Sequence, residues 1–135
     1  MLNPNVEIKK WFYTNLTAVA TIPVYDGFAP ETAPDEYVLM TGRTSSQEQG
    51  KAGYTNSTTI VVDIVTKSAN FGYKRSETIS NLILSAINSD TNIVLANGFY
   101  ASSLSISSIN NLDGLNPLDN VFRTIITYNI IITQI

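Results

Sequence analysis

The sequence contains no histidine and no cysteine, and only 14% of its 135 residues are charged. Without histidine, a serine nucleophile has no imidazole base, and the commonest side chain for proton transfer near neutral pH and for metal ligation is missing. Without cysteine there is neither a disulfide framework nor a thiolate metal site. The eight basic residues are outnumbered by eleven acidic ones, for a net charge of −3, and are scattered along the chain. Proteins held to nucleic acid by phosphate contacts gather Lys and Arg on one face, so that class is disfavoured. No stretch approaches the ~20 apolar residues of a membrane helix, and no basic-then-apolar leader is visible at the N-terminus, so the expectation is a soluble protein without a membrane partner.

What the chain has is length for one domain, residues 1–135, and 44% hydrophobic residues, with Asn, Ser, Thr and Ile abundant. Its organising stretch is TTIVVDIVT, residues 58–66. Side chains alternate across a strand, so Ile60, Val62 and Ile64 fall on one side and Val61 and Val65 on the other, with Asp63 the one charge among them. An apolar run this rich in β-branched residues reads as a central strand.

The remaining elements follow in order. Pro4 opens a helix to about residue 19, with Ile8, Trp11, Phe12, Leu16 and Val19 as its apolar stripe. A short strand at 22–25 breaks at Asp26-Gly27, and a Pro-rich loop leads to a second strand from Tyr37 to about residue 46. Between this strand and the central one lies the polar stretch 42–56, which predicts a long hairpin arm. The spacing then predicts a second helix over 73–88, with Ile79, Leu82, Ile83, Ala86 and Ile87 on one face. A strand beginning near Phe99, a loop at 110–120 and a last strand at 121–135 complete the chain, the inner set of the last strand being Phe122, Ile126, Tyr128, Ile130 and Ile132. The fold class is therefore α+β: one mostly antiparallel sheet with two helices packed on one face, in the order α-β-β-β-α-β-β. The opposite face carries Val61, Val65, Ile125 and Ile131, an apolar surface that calls for a partner.

No intact catalytic or ligand motif emerges. Gly50-Lys51 lacks the earlier glycine of a phosphate loop and precedes a strand rather than a helix. Asp26, Glu31, Asp35 and Glu36 cluster in sequence without the spacing of a calcium loop, and read as a solvated Pro-rich loop. The expectation is no enzyme, no cofactor and no metal. The residues singled out belong instead to a subunit or partner interface: Val61, Asp63, Val65, Arg123, Ile125 and Ile131 on the sheet, and Arg43, Gln47, Glu48, Lys51 and Tyr54 on the arm. Asp63 either pairs with Arg123 or another base at a contact, or stands solvated.

Two stretches carry a resemblance to a known family. VYDGFAP followed by APDEYVLMTG, within residues 24–42, is a short strand ending in a Pro-rich loop before a Tyr-Val strand; TTIVVDIVTK and GYKRSETISNLILSAI continue the pattern. In this the chain resembles the tail terminator, or tail-completion, proteins of long-tailed bacteriophages. The resemblance implies a structural virion protein without an active site, made in the host cytoplasm. It implies a homohexameric ring at the head-tail neck that caps the tail tube and joins it to the connector, with tail tube and connector proteins as partners and DNA passing through without specific binding. The chain departs from the family by its low charge and its Ser/Asn-rich final hairpin. A different neck ring or baseplate adaptor with the same fold, or a small ligand-binding domain, are the competing readings.

Overall fold

In the computed structural model, residues 4–50, 53–67, 74–89, 93–95, 98–113 and 121–134 are described, the backbone alone at 4, 43–50, 53–54, 113 and 134. The elements are α1 (Pro4–Ala20), β1 (Val24–Asp26), β2 (Tyr37–Gly50), β3 (Gly53–Lys67), α2 (Lys74–Ala86), β4 (Phe99–Asp113) and β5 (Val121–Gln134). The order is the one the periodicities predict. The strands form one sheet, β1-β2-β3-β5-β4, antiparallel except for the β1–β2 pair. The chain from β1 must return along the sheet edge before β2 begins, which makes that pair parallel.

The central stretch does occupy the middle of the sheet. Ile60, Val62 and Ile64 are fully buried and share a core with Val38 and Met40 of β2 and Ile126, Tyr128, Ile130 and Ile132 of β5. The helices close this core from one side, α1 with Ile8, Phe12 and Leu16 and α2 with Ile79, Ile83 and the following Ile87. The Phe12 ring meets Tyr128 edge-on with centroids 5.3 Å apart. Tyr128 Oη donates to the Ile87 carbonyl at 2.9 Å, which gives its buried hydroxyl a partner, and burial pushes its pKa up.

Several local expectations are corrected. Leu82 is exposed, and Ser76 and Ser80 take buried positions on α2. Ser80 Oγ donates back to the Glu77 carbonyl at 2.7 Å, so its polarity is absorbed within the helix. β4 runs on to Asp113, so residues 110–113 are strand where a loop was expected, because β5 offers ladder partners up to the Asp113↔Phe122 pair. The first strand is Val24–Asp26 rather than 22–25.

The arm is the long antiparallel hairpin that the spacing predicts. Its backbone is strand on both sides as far as the Gly50↔Gly53 pair, after a bulge between Gly42 and Ser45. In the structure β5 runs along its other side, from Tyr54↔Gln134 to Thr58↔Ile130, so the arm is part of a wider ladder and not a free hairpin. Asn56 and Thr58 are buried there, and the Thr58 hydroxyl donates to Asn56 Oδ1 at 2.7 Å.

Candidate functional site

Among the described residues, those singled out from the sequence fall on the surfaces of the sheet and along its edge. Both helices lie on the side of the even-numbered β3 residues, which leaves the odd-numbered ones on the other face. Val61, Asp63 and Val65 of β3 and Arg123, Ile125 and Ile131 of β5 share that second face, in register rows that run Val65↔Arg123, Asp63↔Ile125 and Ser57↔Ile131. The structure thus brings six of the expected interface residues together.

Their exposure differs sharply. Val61 and Val65 are each 5% exposed and Asp63 6%, whereas Ile125 is half-buried and Ile131 is 38% exposed. β3 has two strands on one side and two on the other, and Val61 stands between Thr41 and Thr127, Val65 between Tyr37 and Arg123. Neither of the two described helices lies over them. Surface available to a partner on this face therefore comes from Ile131 and Ile125 rather than from Val61 and Val65.

Asp63 finds its partner within the subunit. Arg123 Nε donates to Asp63 Oδ1 at 3.2 Å and Oδ2 at 3.1 Å, and a second guanidinium nitrogen also donates to Oδ2. The planar fork suits a carboxylate across a diagonal of two strands. The hydrogen bonds to Asp63 raise the Arg123 pKa further, against the opposing effect of partial burial. Of the alternatives open from the sequence, pairing with Arg123 holds and solvation does not.

On the arm, Gln47 and Glu48 pair in register with Asn56 and Thr55, and Tyr54 with Gln49 on one side and Gln134 on the other. Arg43 falls within the bulge between Gly42 and Ser45. Lys51 lies outside the described residues. The backbone of 45–50 is at a sheet edge, since β1 pairs with β2 only at Val38, Leu39 and Met40.

A surface that the periodicities did not single out lies along α1. A groove of about 730 Å³ is lined by Val6, Lys9, Lys10, Tyr13, Thr14, Asp26 and Met40. The Lys9 stem runs close over Gly42, where a Cβ would meet its Cε at 3.0 Å, and Lys9 Nζ lies 3.8 Å from Asp26 Oδ1. Val6 and Tyr13 are about half-exposed at its rim, and Phe28, just beyond Asp26, is 76% exposed. The signal available in the sequence was the spacing Val6, Lys10, Tyr13, a second and weaker helical stripe beside the core one.

Two residues of the acidic loop have basic partners. Asp26 turns to Lys9, and Glu36 accepts from Arg75 Nε at 2.6 Å. Among the described residues no three acidic side chains gather where an ion would sit. At the start of α2 a polar knot ties helix to sheet: Thr124 Oγ1 is 2.8 Å from Ser76 Oγ and 2.9 Å from Asn111 Oδ1, and Asn111 Nδ2 donates to Glu77 Oε1 at 2.9 Å. Glu77 in the first helical turn also faces the positive end of the helix dipole.

No protein-family model matches the sequence, and no curated protein matches it. Solved structures do match the fold. A chain of the virion of a native gene transfer agent particle superposes with a TM-score of 0.80 over 98% of this chain and 99% of its own, at 15% identity. A second solved structure superposes with a TM-score of 0.59 over 93% of this chain and 92% of its own, at 13% identity. At these identities the likeness is one of fold.

Proposed function

We propose that this chain is a structural virion protein that assembles as a ring at the head-tail neck of a phage-type particle and closes the end of the tail tube, as a tail terminator does. One observation carries the reading: 98% of this chain superposes on 99% of a chain from a gene transfer agent virion, with a TM-score of 0.80. The sequence resemblance at 24–42, 58–67 and the second helix points the same way. A reading without catalysis accords with the missing histidine and cysteine.

In this role the parts have separate tasks. The hydrogen-bonded hairpin over 42–56, with Arg43, Gln47, Glu48, Lys51 and Tyr54, reaches to a neighbouring ring or tube. The open face, with Val61, Asp63, Val65, Arg123, Ile125 and Ile131, is held rigid by the Asp63–Arg123 pair, and Ile125 and Ile131 offer its apolar contacts. Burial of an exposed isoleucine is worth at most roughly 1.5 to 3 kcal/mol before the costs of association, so a few such residues repeated around a ring suffice.

The test is solution mass and place. Purified protein is expected to run in multi-angle light scattering at about six times the 14.8 kDa of one chain, and to halt growth of tail tubes when added to the tube protein. A ring that forms but leaves tube growth unaffected would move the protein to another neck ring or to a baseplate adaptor. A 14.8 kDa monomer at every concentration would remove the ring itself.

A further inference from the structure

The exposed large hydrophobic residues are not spread evenly. Of the eight among the described residues, Val6, Tyr13 and Phe28 lie at the β1 edge of the sheet, and Val94, Ile109 and Leu112 lie at the β4 edge. These are opposite flanks of the subunit. The two flanks differ in shape and charge. The β1 flank is concave, the groove along α1, and Lys10 at its rim is exposed with no ion pair among the described residues. The β4 flank is an edge strand in which Ile109 stands out beside Asn111 on the helix side, and Asn111 holds the exposed carboxylate of Glu77 next to it.

We propose that the partner fitting the α1 groove is a second copy of this chain, which seats its β4 flank there: Ile109 against Val6 and Tyr13, and Glu77 against Lys10. The proposal rests on the ring reading above and names the contact that would build it. Two unlike, complementary patches on opposite sides make a head-to-tail contact, and repetition of such a contact closes into a ring when the rotation allows. A single self-complementary patch would stop at a dimer. Charge complementarity sets the register of the groove on the ridge, while apolar burial supplies most of the affinity, since exposed ion pairs add little. The open face and the arm stay free for other partners of the particle.

Tyr13→Asp and Ile109→Asp test it, each at a side chain already half in water, with circular dichroism to check folding. Each variant alone is expected to assemble at least tenfold more weakly than the parent by light scattering. Mixed one to one, they are expected to stop at a two-chain species, because the Tyr13→Asp copy keeps its ridge, the Ile109→Asp copy keeps its groove, and just one sound contact forms. Lys10→Glu and Glu77→Lys provide a second arm: each alone weakens assembly, and the mixture recovers it, since every groove then meets a ridge of opposite charge. A parent that is monomeric at all concentrations overturns the ring reading and this contact together. A parent that assembles while Tyr13→Asp and Ile109→Asp assemble equally well overturns the contact alone. Mixtures that behave as the separate variants do overturn the pairing of these two flanks.

Discussion

The two faces of this sheet achieve burial by different means. On the helix side, Phe12 and Leu16 of α1 and Ile79 and Ile83 of α2 lie over Ile60, Val62, Ile64, Ile126 and Tyr128, and all nine are fully buried. On the open side neither α1 nor α2 intervenes, yet Val61, Val65 and Asp63 are almost as enclosed, in a strand flanked by β2 and β5. The first arrangement is a three-dimensional core; the second is a single layer whose middle strand is dry and whose outer strands are wet. A core of the first kind fixes the fold. A layer of the second kind leaves Ile125 and Ile131 partly exposed and ready to be covered.

The comparison breaks most completely where the two helices and the sheet meet. Phe12 is fully buried between Trp11 and Tyr128, with ring centroids 5.3 Å from each. Phe12→Ala is expected to cost about 3 to 5 kcal/mol, the range for large-to-small changes in a close-packed core. Chemical denaturation of parent and variant measures it, and a loss below about 1 kcal/mol would mean the helix layer is loosely packed.

The open face has its own weak point. Removing Arg123 leaves the Asp63 carboxylate enclosed with no cation, and breaking a buried pair costs about 3 to 5 kcal/mol. Arg123 itself keeps 38% of its side chain in water, so water enters readily and about 1 to 3 kcal/mol is the expected loss for Arg123→Ala. Asp63→Val combined with Arg123→Ala is expected to recover most of it, because no buried charge then remains. A double variant no better than the single one would mean that Arg123 contributes through its packed stem rather than its charge.

How much of this was legible beforehand follows from which interactions are periodic. The strand and helix order could be read because apolar residues recur at two and at 3.6, and the central stretch betrayed its place by having apolar residues on both sides. Burial of Ser76, Ser80 and Thr124 had no such signal; Thr124 and Ser76 satisfy each other across 48 positions of sequence, and Ser80 bonds back to the Glu77 carbonyl. Leu82 was assigned inward since a leucine adds to any stripe, although packing of α2 against α1 and β3 left it outside. The arm could be read as a hairpin from its spacing, whereas its second ladder, from Tyr54↔Gln134 to Thr58↔Ile130, joins stretches far apart in sequence that no local pattern links. At the candidate site, the open face was legible from strand alternation alone. The α1 groove was not, because its lining joins α1 to Asp26 and Met40, which meet only in the fold.

A milder probe of the helix side is Tyr128. Its raised pKa means the folded protein holds the phenol proton more tightly than the unfolded chain, whose tyrosine ionises near 10. This contribution to stability is whole below that pH and declines as the pH rises beyond it, because the unfolded state then releases a proton that the folded state keeps. Tyr128→Phe is expected to lower stability at neutral pH by about 1 kcal/mol, for the lost bond to the Ile87 carbonyl, and to flatten the decline above pH 10. Denaturation midpoints at a series of pH values check both parts; a parent curve with no alkaline decline attributable to Tyr128 would show the hydroxyl to be open to water.

The smallest effect on folding is expected at Ile131, and it sharpens the contrast within the open face itself. Ile131 pairs with Ser57 and Ser103, and its exposure leaves room for a longer, charged side chain to reach water. Ile131→Lys should therefore change unfolding free energy by no more than about 0.5 kcal/mol, as surface substitutions do. The same change at Val61, enclosed between Thr41 and Thr127, has to take the methylene stem and ammonium through a filled layer and should cost several times more. Parallel urea denaturations of the two variants decide the point. If both lose equally, Ile131 is as enclosed as Val61 and the open face has no apolar surface to offer; if Ile131→Lys keeps full stability but fails to associate with partner rings in light scattering, the exposed end of the layer is where the contact is made.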